Sequence, residues 1–158
     1  MTVQVGISEM CVSDNTNEVL VTYSLGSCVG LSLYDPVLRL GGLIHCMLPS
    51  SKADPVKASA TPAMFVDTGV SALLQRMFDR GAQRRRLIAK VAGCAKLLDE
   101  KGFFRIGERN YTMVRKLLWT NGVLIAAEDI GGARARSMYL NIATGETTIN
   151  SNGSRRPL

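Results

Sequence analysis

Only one histidine, His45, stands in this chain of 158 residues, so any imidazole chemistry must use it. Four cysteines, Cys11, Cys28, Cys46 and Cys94, could supply a thiol to pair with it. Cys46 is adjacent to His45 in an extended run, where successive side chains point to opposite faces of a sheet. Cys11 lies in a poorly patterned segment, and Cys94 follows Gly93 at the end of a short strand. Cys28 comes directly after Gly26-Ser27, where the chain turns sharply between two extended runs. A thiol at such a bend can stand clear of the sheet, with nearby backbone N–H groups free to face a ligand. Acyl transfer needs that set: a nucleophile, a base within hydrogen-bond reach and donors for an oxyanion. The plainer readings stand beside it. A free cysteine is most often a small buried hydrophobe, and a lone histidine is as often structural as catalytic. A thiol of ordinary pKa is only about 3% ionised at neutral pH, so activation would fall to an imidazolium at position 45. The residues after Cys28 alternate as a strand and offer no helix dipole to share that task.

A metal centre built from Cys28, His45, Cys46 and Cys94 is a weaker alternative, because the spacing is irregular and no Cys-x-x-Cys pair occurs. Met1 to Ser8 lack a cationic stretch followed by an apolar one, and no apolar run approaches the roughly 20 residues of a membrane span. A cytoplasmic setting with reduced thiols and no direct membrane insertion is expected. With 46% hydrophobic residues the chain can bury a core, which excludes wholesale disorder. The length suits one domain over residues 1–150, with residues 151–158 as a flexible tail. Nineteen Lys and Arg against 13 Asp and Glu give a net charge of +6, which favours an acidic partner. Nucleic acid is disfavoured, since aromatics make up only 6% and no basic helix appears. Arg84-Arg85-Arg86, the densest cationic run, reads first as a solvated loop and second as a docking patch.

The elements that would position these residues follow from hydrophobic period. Val19, Val21 and Tyr23 alternate with Leu20, Thr22 and Ser24, placing Thr22 on a face with Leu20 and Ser24. Val29, Leu31 and Leu33 form a second strand, Asp35-Pro36 a turn, and Leu43, His45 and Met47 one face of a third strand. Pro49 to Pro62 reads as a long polar loop. Val66, Val70, Leu73, Leu74 and Met77 recur at helical spacing and Gly81 stops that helix. Leu87 to Ala92 is a strand candidate. Glu108 to Thr120 is a second helix with Tyr111, Val114, Leu117 and Leu118 on its apolar face, ended by Asn121-Gly122. Val123 to Ala127, Met138 to Ile142 and Glu146 to Ile149 complete the strands, the last two joined by a turn at Thr144-Gly145. These periods predict an α+β fold with a core of mixed or antiparallel strands and two to three helices packed outside.

The run Val21-Thr22-Tyr23-Ser24-Leu25-Gly26-Ser27-Cys28-Val29, followed by His45-Cys46-Met47-Leu48-Pro49, resembles the CheD family of chemoreceptor glutamine deamidases. Further similar segments occur in order: Asp67-Thr68, Ile106-Gly107-Glu108-Arg109-Asn110, and Ala127-Glu128-Asp129-Ile130-Gly131-Gly132 leading to Arg136 and Thr144-Gly145. The resemblance covers about residues 3 to 149. It implies a layered β-sandwich and a triad of Cys28 as nucleophile, His45 as base and Thr22 orienting the imidazole. Gly26 and Ser27 would serve the turn and the oxyanion. No cofactor and no metal is implied. The substrate implied is glutamine in the cytoplasmic helices of chemotaxis receptors, with receptor methyl-ester hydrolysis as a related activity. A CheC-type phosphatase is the implied partner, and a non-catalytic regulator binding such a phosphatase is the alternative function. The chain departs from the family at Cys94 and Lys96, where relatives often carry a second glycine and a small or polar residue. It departs again at Ala135, where a glycine is usual, so that a negative φ is expected there.

Overall fold

The computed structural model describes residues 1–96 and 105–158. Ten strands and three α-helices follow one another as β1 (Thr2–Gln4), β2 (Met10–Ser13), β3 (Val19–Leu25), β4 (Val29–Asp35), β5 (Leu40–Cys46), α1 (Pro55–Ala60), α2 (Val66–Asp79), β6 (Ile88–Gly93), α3 (Ile106–Thr120), β7 (Ile125–Ile130), β8 (Arg136–Asn141), β9 (Thr147–Ser151) and β10 (Ser154–Pro157). They build two five-stranded sheets, β1-β3-β8-β9-β10 and β2-β5-β4-β6-β7. Every pairing is antiparallel except β1 with β3 and β6 with β7. The expected α+β sandwich-like core is therefore present, with the helices against the outer face of the second sheet.

β4 and β5 are buried along their whole length because both of their faces are covered. Val29, Leu31, Leu33, Ile44 and Cys46 pack beneath Val66, Val70, Leu73, Met77, Val114 and Leu118 of the two long helices. Tyr34 and Leu43 face the other way, into a layer shared with Leu20, Leu25, Met138, Leu140 and Ile149 of the first sheet. Both long helices end in the same device. Gly81 at φ +99° and Gly122 at φ +71° each follow the helix, and the next residue donates back to the last turn, Ala82 N to Met77 O (3.0 Å) and Val123 N to Leu118 O (2.8 Å). No helix among the described residues is long and apolar enough to cross a membrane.

Three local expectations are corrected, and a fourth, the exposed arginine turn, holds with added detail. The Pro49–Pro62 stretch is not a plain loop: it holds α1 between two short 3₁₀ turns. Asp54 caps α1 by accepting from Lys57 N (3.0 Å), and Pro55 sits at the first helical position. Residues 154–157 pair with β9 across an Asn152-Gly153 turn with both φ positive, and Lys90 Nζ donates to the Leu158 carbonyl (2.7 Å). The arginine run is a 3₁₀ turn whose Arg86 pairs with Asp35 (2.8 Å) and whose Arg84 lies over the Phe78 ring (4.8 Å). Finally, β3 bulges between Thr22 and Leu25, whose partners on β8 are Met138 and Arg136. The extra residue moves Leu25 onto the inner face with Leu20 and Thr22 and leaves Ser24 exposed at φ +59°.

Candidate active site

His45 makes one of the side-chain links between the two sheets. It lies on β5 of the second sheet, fully buried, with Nδ1 2.7 Å from Oγ1 of Thr22, itself fully buried on β3 of the first. The structure thus brings Thr22 and His45 together. The other ring nitrogen, Nε2, is buried without a hydrogen-bond partner. Burial pulls the imidazole down to a pKa of about 4, so the ring is neutral at neutral pH. Cys46, the next residue, packs beneath the helices on the opposite face, and burial pushes its thiol far up.

Register places Cys28 near the imidazole. His45 pairs with Gly30, and Cys28 lies two residues before Gly30, diagonal to His45 and at the edge of the same inner layer. Gly30 presents no side chain between them, and a Cβ there would come within 2.8 Å of Leu25 Cδ1. Cys28 is half-buried. Desolvation raises its thiol, partly offset by its own backbone N–H. No hydrogen bond joins Sγ to Nε2 in this resting arrangement. Burial raises the thiol and lowers the imidazole, which favours the neutral form of both over the expected imidazolium in this resting arrangement.

The bend before Cys28 is held by its carbonyls. Ala95 N donates to Gly26 O (2.8 Å), Asn110 Nδ2 to Ser27 O (3.0 Å) and Cys94 N to Cys28 O (2.8 Å). In a trans peptide the N–H points opposite the preceding carbonyl, so this grip aims the N–H groups of Ser27 and Cys28 away from those partners. Neither donates to a backbone carbonyl among the described residues. Gly26 N–H, by contrast, donates to Ser24 O (3.0 Å) and is not available to an oxyanion. Gly93, at φ +100°, is required beside the bend, because a Cβ would stand 2.4 Å from Cys28 O. Cys94 holds a left-handed φ of +54° without a glycine's freedom, which is the conformation the relatives' usual glycine suits. Ala135 keeps a backbone outside that region.

Asn110 was not singled out by sequence reading as a site residue. It is fully buried on α3, and Nδ2 also donates to Met47 O (3.1 Å), beyond the end of β5. Its position three residues after Gly107 and four before Val114, on the buried stripe of α3, was the available signal. A groove of about 420 Å³ flanks this junction, lined by Leu48, Pro49, Ser50, Lys52, Ala53, Ile106 and Arg109. A larger concavity of about 590 Å³ between α3 and β7, containing Trp119 and Leu124, includes none of the three proposed triad residues.

Comparisons with known proteins bear on the family of the chain. A family model described as CheD chemotactic sensory transduction matches residues 47–151, a span that begins just past His45. A protein of Syntrophus aciditrophicus named probable chemoreceptor glutamine deamidase CheD 1 is 48% identical over 149 residues, 94% of this chain and 93% of its own. Proteins named probable chemoreceptor glutamine deamidase CheD from Solibacter usitatus and Pyrococcus horikoshii are 45% and 40% identical. They cover 98% and 93% of this chain and 91% and 90% of their own lengths. On the extent of these matches, the chain belongs to the CheD family.

Proposed function

We propose that this chain deamidates glutamine side chains of chemotaxis receptors, with Cys28 as nucleophile, His45 as base and Thr22 as the group that orients His45. The observation that carries the reading is the Thr22–His45 contact of 2.7 Å, which occupies one ring nitrogen and leaves the other without a partner on the layer that Cys28 borders. The base role requires the tautomer in which Nδ1–H donates to Thr22 Oγ1, leaving the Nε2 lone pair free.

As Sγ attacks the carboxamide carbon, the thiol proton passes to Nε2 and the C–S bond forms. The carbonyl oxygen takes the negative charge and receives the N–H groups of Ser27 and Cys28. The imidazolium then returns its proton to the departing nitrogen, the C–N bond breaks and ammonia leaves a thioester. Water attacks that thioester while Nε2 takes its proton. The C–S bond breaks, the thiol is restored and glutamate remains. A receptor methyl ester would follow the same course with methanol as the leaving group. The net charge of +6 favours approach to acidic receptor helices. A CheC-type phosphatase docking on the Cys28 face would regulate access to the thiol.

Cys28→Ala tests the assignment. Ammonia release from a receptor cytoplasmic fragment should disappear, as should the mass change of glutamine to glutamate, while the unfolding midpoint stays close to that of the parent. Turnover at the parent rate would remove Cys28 from the nucleophile's role.

A further inference from the structure

Asn110 grips the catalytic loop from outside the triad. Its side-chain nitrogen donates to Ser27 O at 3.0 Å and to Met47 O at 3.1 Å. These carbonyls belong to the residue just before Cys28 and to the second residue after His45. The amide orientation is fixed by chemistry, since a flip would set its oxygen against two carbonyl oxygens. Oδ1 is left buried without a partner, a cost that helix packing alone would avoid by placing an apolar side chain at this fully buried position. The residue also joins two elements that the β4–β5 ladder no longer pairs, because that ladder ends at Val29 and Cys46.

We infer that Asn110 is a positioning residue for the deamidation: by holding the Ser27 carbonyl it fixes the plane of the Ser27–Cys28 peptide and so aims the Cys28 N–H at the oxyanion. The inference rests on the reading of Cys28 as nucleophile. Gly107 is what brings α3 close enough, for a Cβ there would lie 2.5 Å from Ala95 O and 2.6 Å from Cys94 O. The helix therefore presses on the segment whose N–H groups hold Gly26 O and Cys28 O, while Asn110 takes the carbonyl between them. Three donors on two elements set three successive peptides.

The experiment separates aim from mere integrity of the fold. In Asn110→Ala, kcat for ammonia release from a receptor fragment should fall about 100-fold, the cost of a lost oxyanion donor, with KM within about threefold. Alkylation of Cys28 by iodoacetamide, a displacement that builds no oxyanion, should stay within about threefold of the parent rate across pH. Leu118→Ala, a fully buried position elsewhere on α3, is the control for destabilisation without contact to the loop. A kcat at the parent level would overturn the inference. So would kcat and alkylation falling together in the proportion seen for Leu118→Ala. Should Asn110→Ala fail to fold, Asn110→Thr takes its place, since it matches the volume but its hydroxyl falls short of both carbonyls. A Cys28→Ala protein that still turns over would instead remove the underlying reading, an outcome distinct from either of these.

Discussion

The two ends of β4 each adjoin buried polar groups, Asp35 on the strand itself at one end and His45 of β5 and Asn110 of α3 beside the other, but they treat hydrogen bonds differently. At the far end Asp35 is fully buried and accepts from Val37 N, Leu38 N, Gln83 N and the Arg86 guanidinium, at 2.8 to 3.4 Å. Burial alone would raise its carboxyl, yet the Arg86 and backbone donors outweigh it and hold the group below its ordinary value. At the near end the His45 ring makes one hydrogen bond and leaves Nε2 unpaired among the described residues, while Asn110 leaves Oδ1 unpaired. Each such atom costs about 1 to 3 kcal/mol, which a purely structural cluster would recover by pairing it. On the proposed assignment of the site, unused capacity marks the catalytic end of the strand and complete pairing marks the end that holds. The third unpaired buried atom among the described residues, Arg136 Nε, is an exception to this division. Its guanidinium is otherwise engaged with Asp129 and with the carbonyls of Gly131 and Arg134, so it clamps a loop.

If the division is right, substitutions at the two ends should exchange their effects. His45→Gln should lower kcat/KM by about 10²- to 10⁴-fold, the range of a lost general base. Its unfolding free energy should move by about 1 kcal/mol or less. Asp35→Ala should do the opposite. Removing one side of the buried pair strands Arg86 and costs about 3 to 5 kcal/mol in urea unfolding. The turnover of the molecules that remain folded should stay within about twofold of the parent, as expected for independent sites. A large loss of turnover in Asp35→Ala would show that the two ends are coupled through β4.

Much of this contrast could be read in advance at one end and little of it at the other. The sole histidine, the Gly-Ser-Cys bend and the alternation around Thr22 and His45 were local patterns, whereas the contact between Thr22 and His45 was implied by the family resemblance and not by strand alternation. The helix stops at Gly81 and Asn121-Gly122 were equally local. The Arg86–Asp35 pair was not, because nothing in a charge run says which member folds back 51 residues to a carboxylate. The β3 bulge was hidden because alternation continues through it until Ser24, and the displaced parity shows only against β8. Asn110 carries no local mark of burial, because a polar side chain shares a buried stripe with Gly107, Val114 and Leu118 only once α3 is packed. The lowered pKa of His45 was missed for a physical reason: a neighbouring thiol suggests an ion pair, whereas closing the first sheet over the ring removes the water an ion pair needs.

Thr22→Val sharpens the contrast by removing a polar atom while keeping shape. Nδ1 would lose its only partner in a buried site, at about 1 to 3 kcal/mol. Felt in the transition state, where the ring becomes positive, that corresponds to roughly a 5- to 150-fold drop in kcat. Thr22→Ser should recover most of it, because the hydroxyl returns and only a methyl group is lost. A full-strength Thr22→Val enzyme would mean that packing between the sheets, and not the hydroxyl, holds the ring.

The smallest effect is one of pH, and it isolates His45 because no other histidine titrates in this range. The folded ring is held at about 4 by burial, whereas in the unfolded chain it returns to about 6.5. Below about pH 6.5 the unfolded chain takes up a proton that the folded protein refuses, so the depressed value contributes stability above that pH and loses it as acid is added. Between pH 7 and 5.5 the unfolding free energy should fall by about 1 kcal/mol from this group alone. The low end stops short of the carboxylates, whose titration would obscure it. His45→Gln has nothing to protonate at that position and should show a correspondingly flatter profile over the same interval. Parallel profiles for the two proteins would mean that the imidazole takes its proton in the folded state, and a histidine that can do so is already wet or paired with a thiolate. That result would replace the neutral pair by an ion pair poised before substrate arrives, and would move the unfilled capacity of the near end from Nε2 to the sulfur.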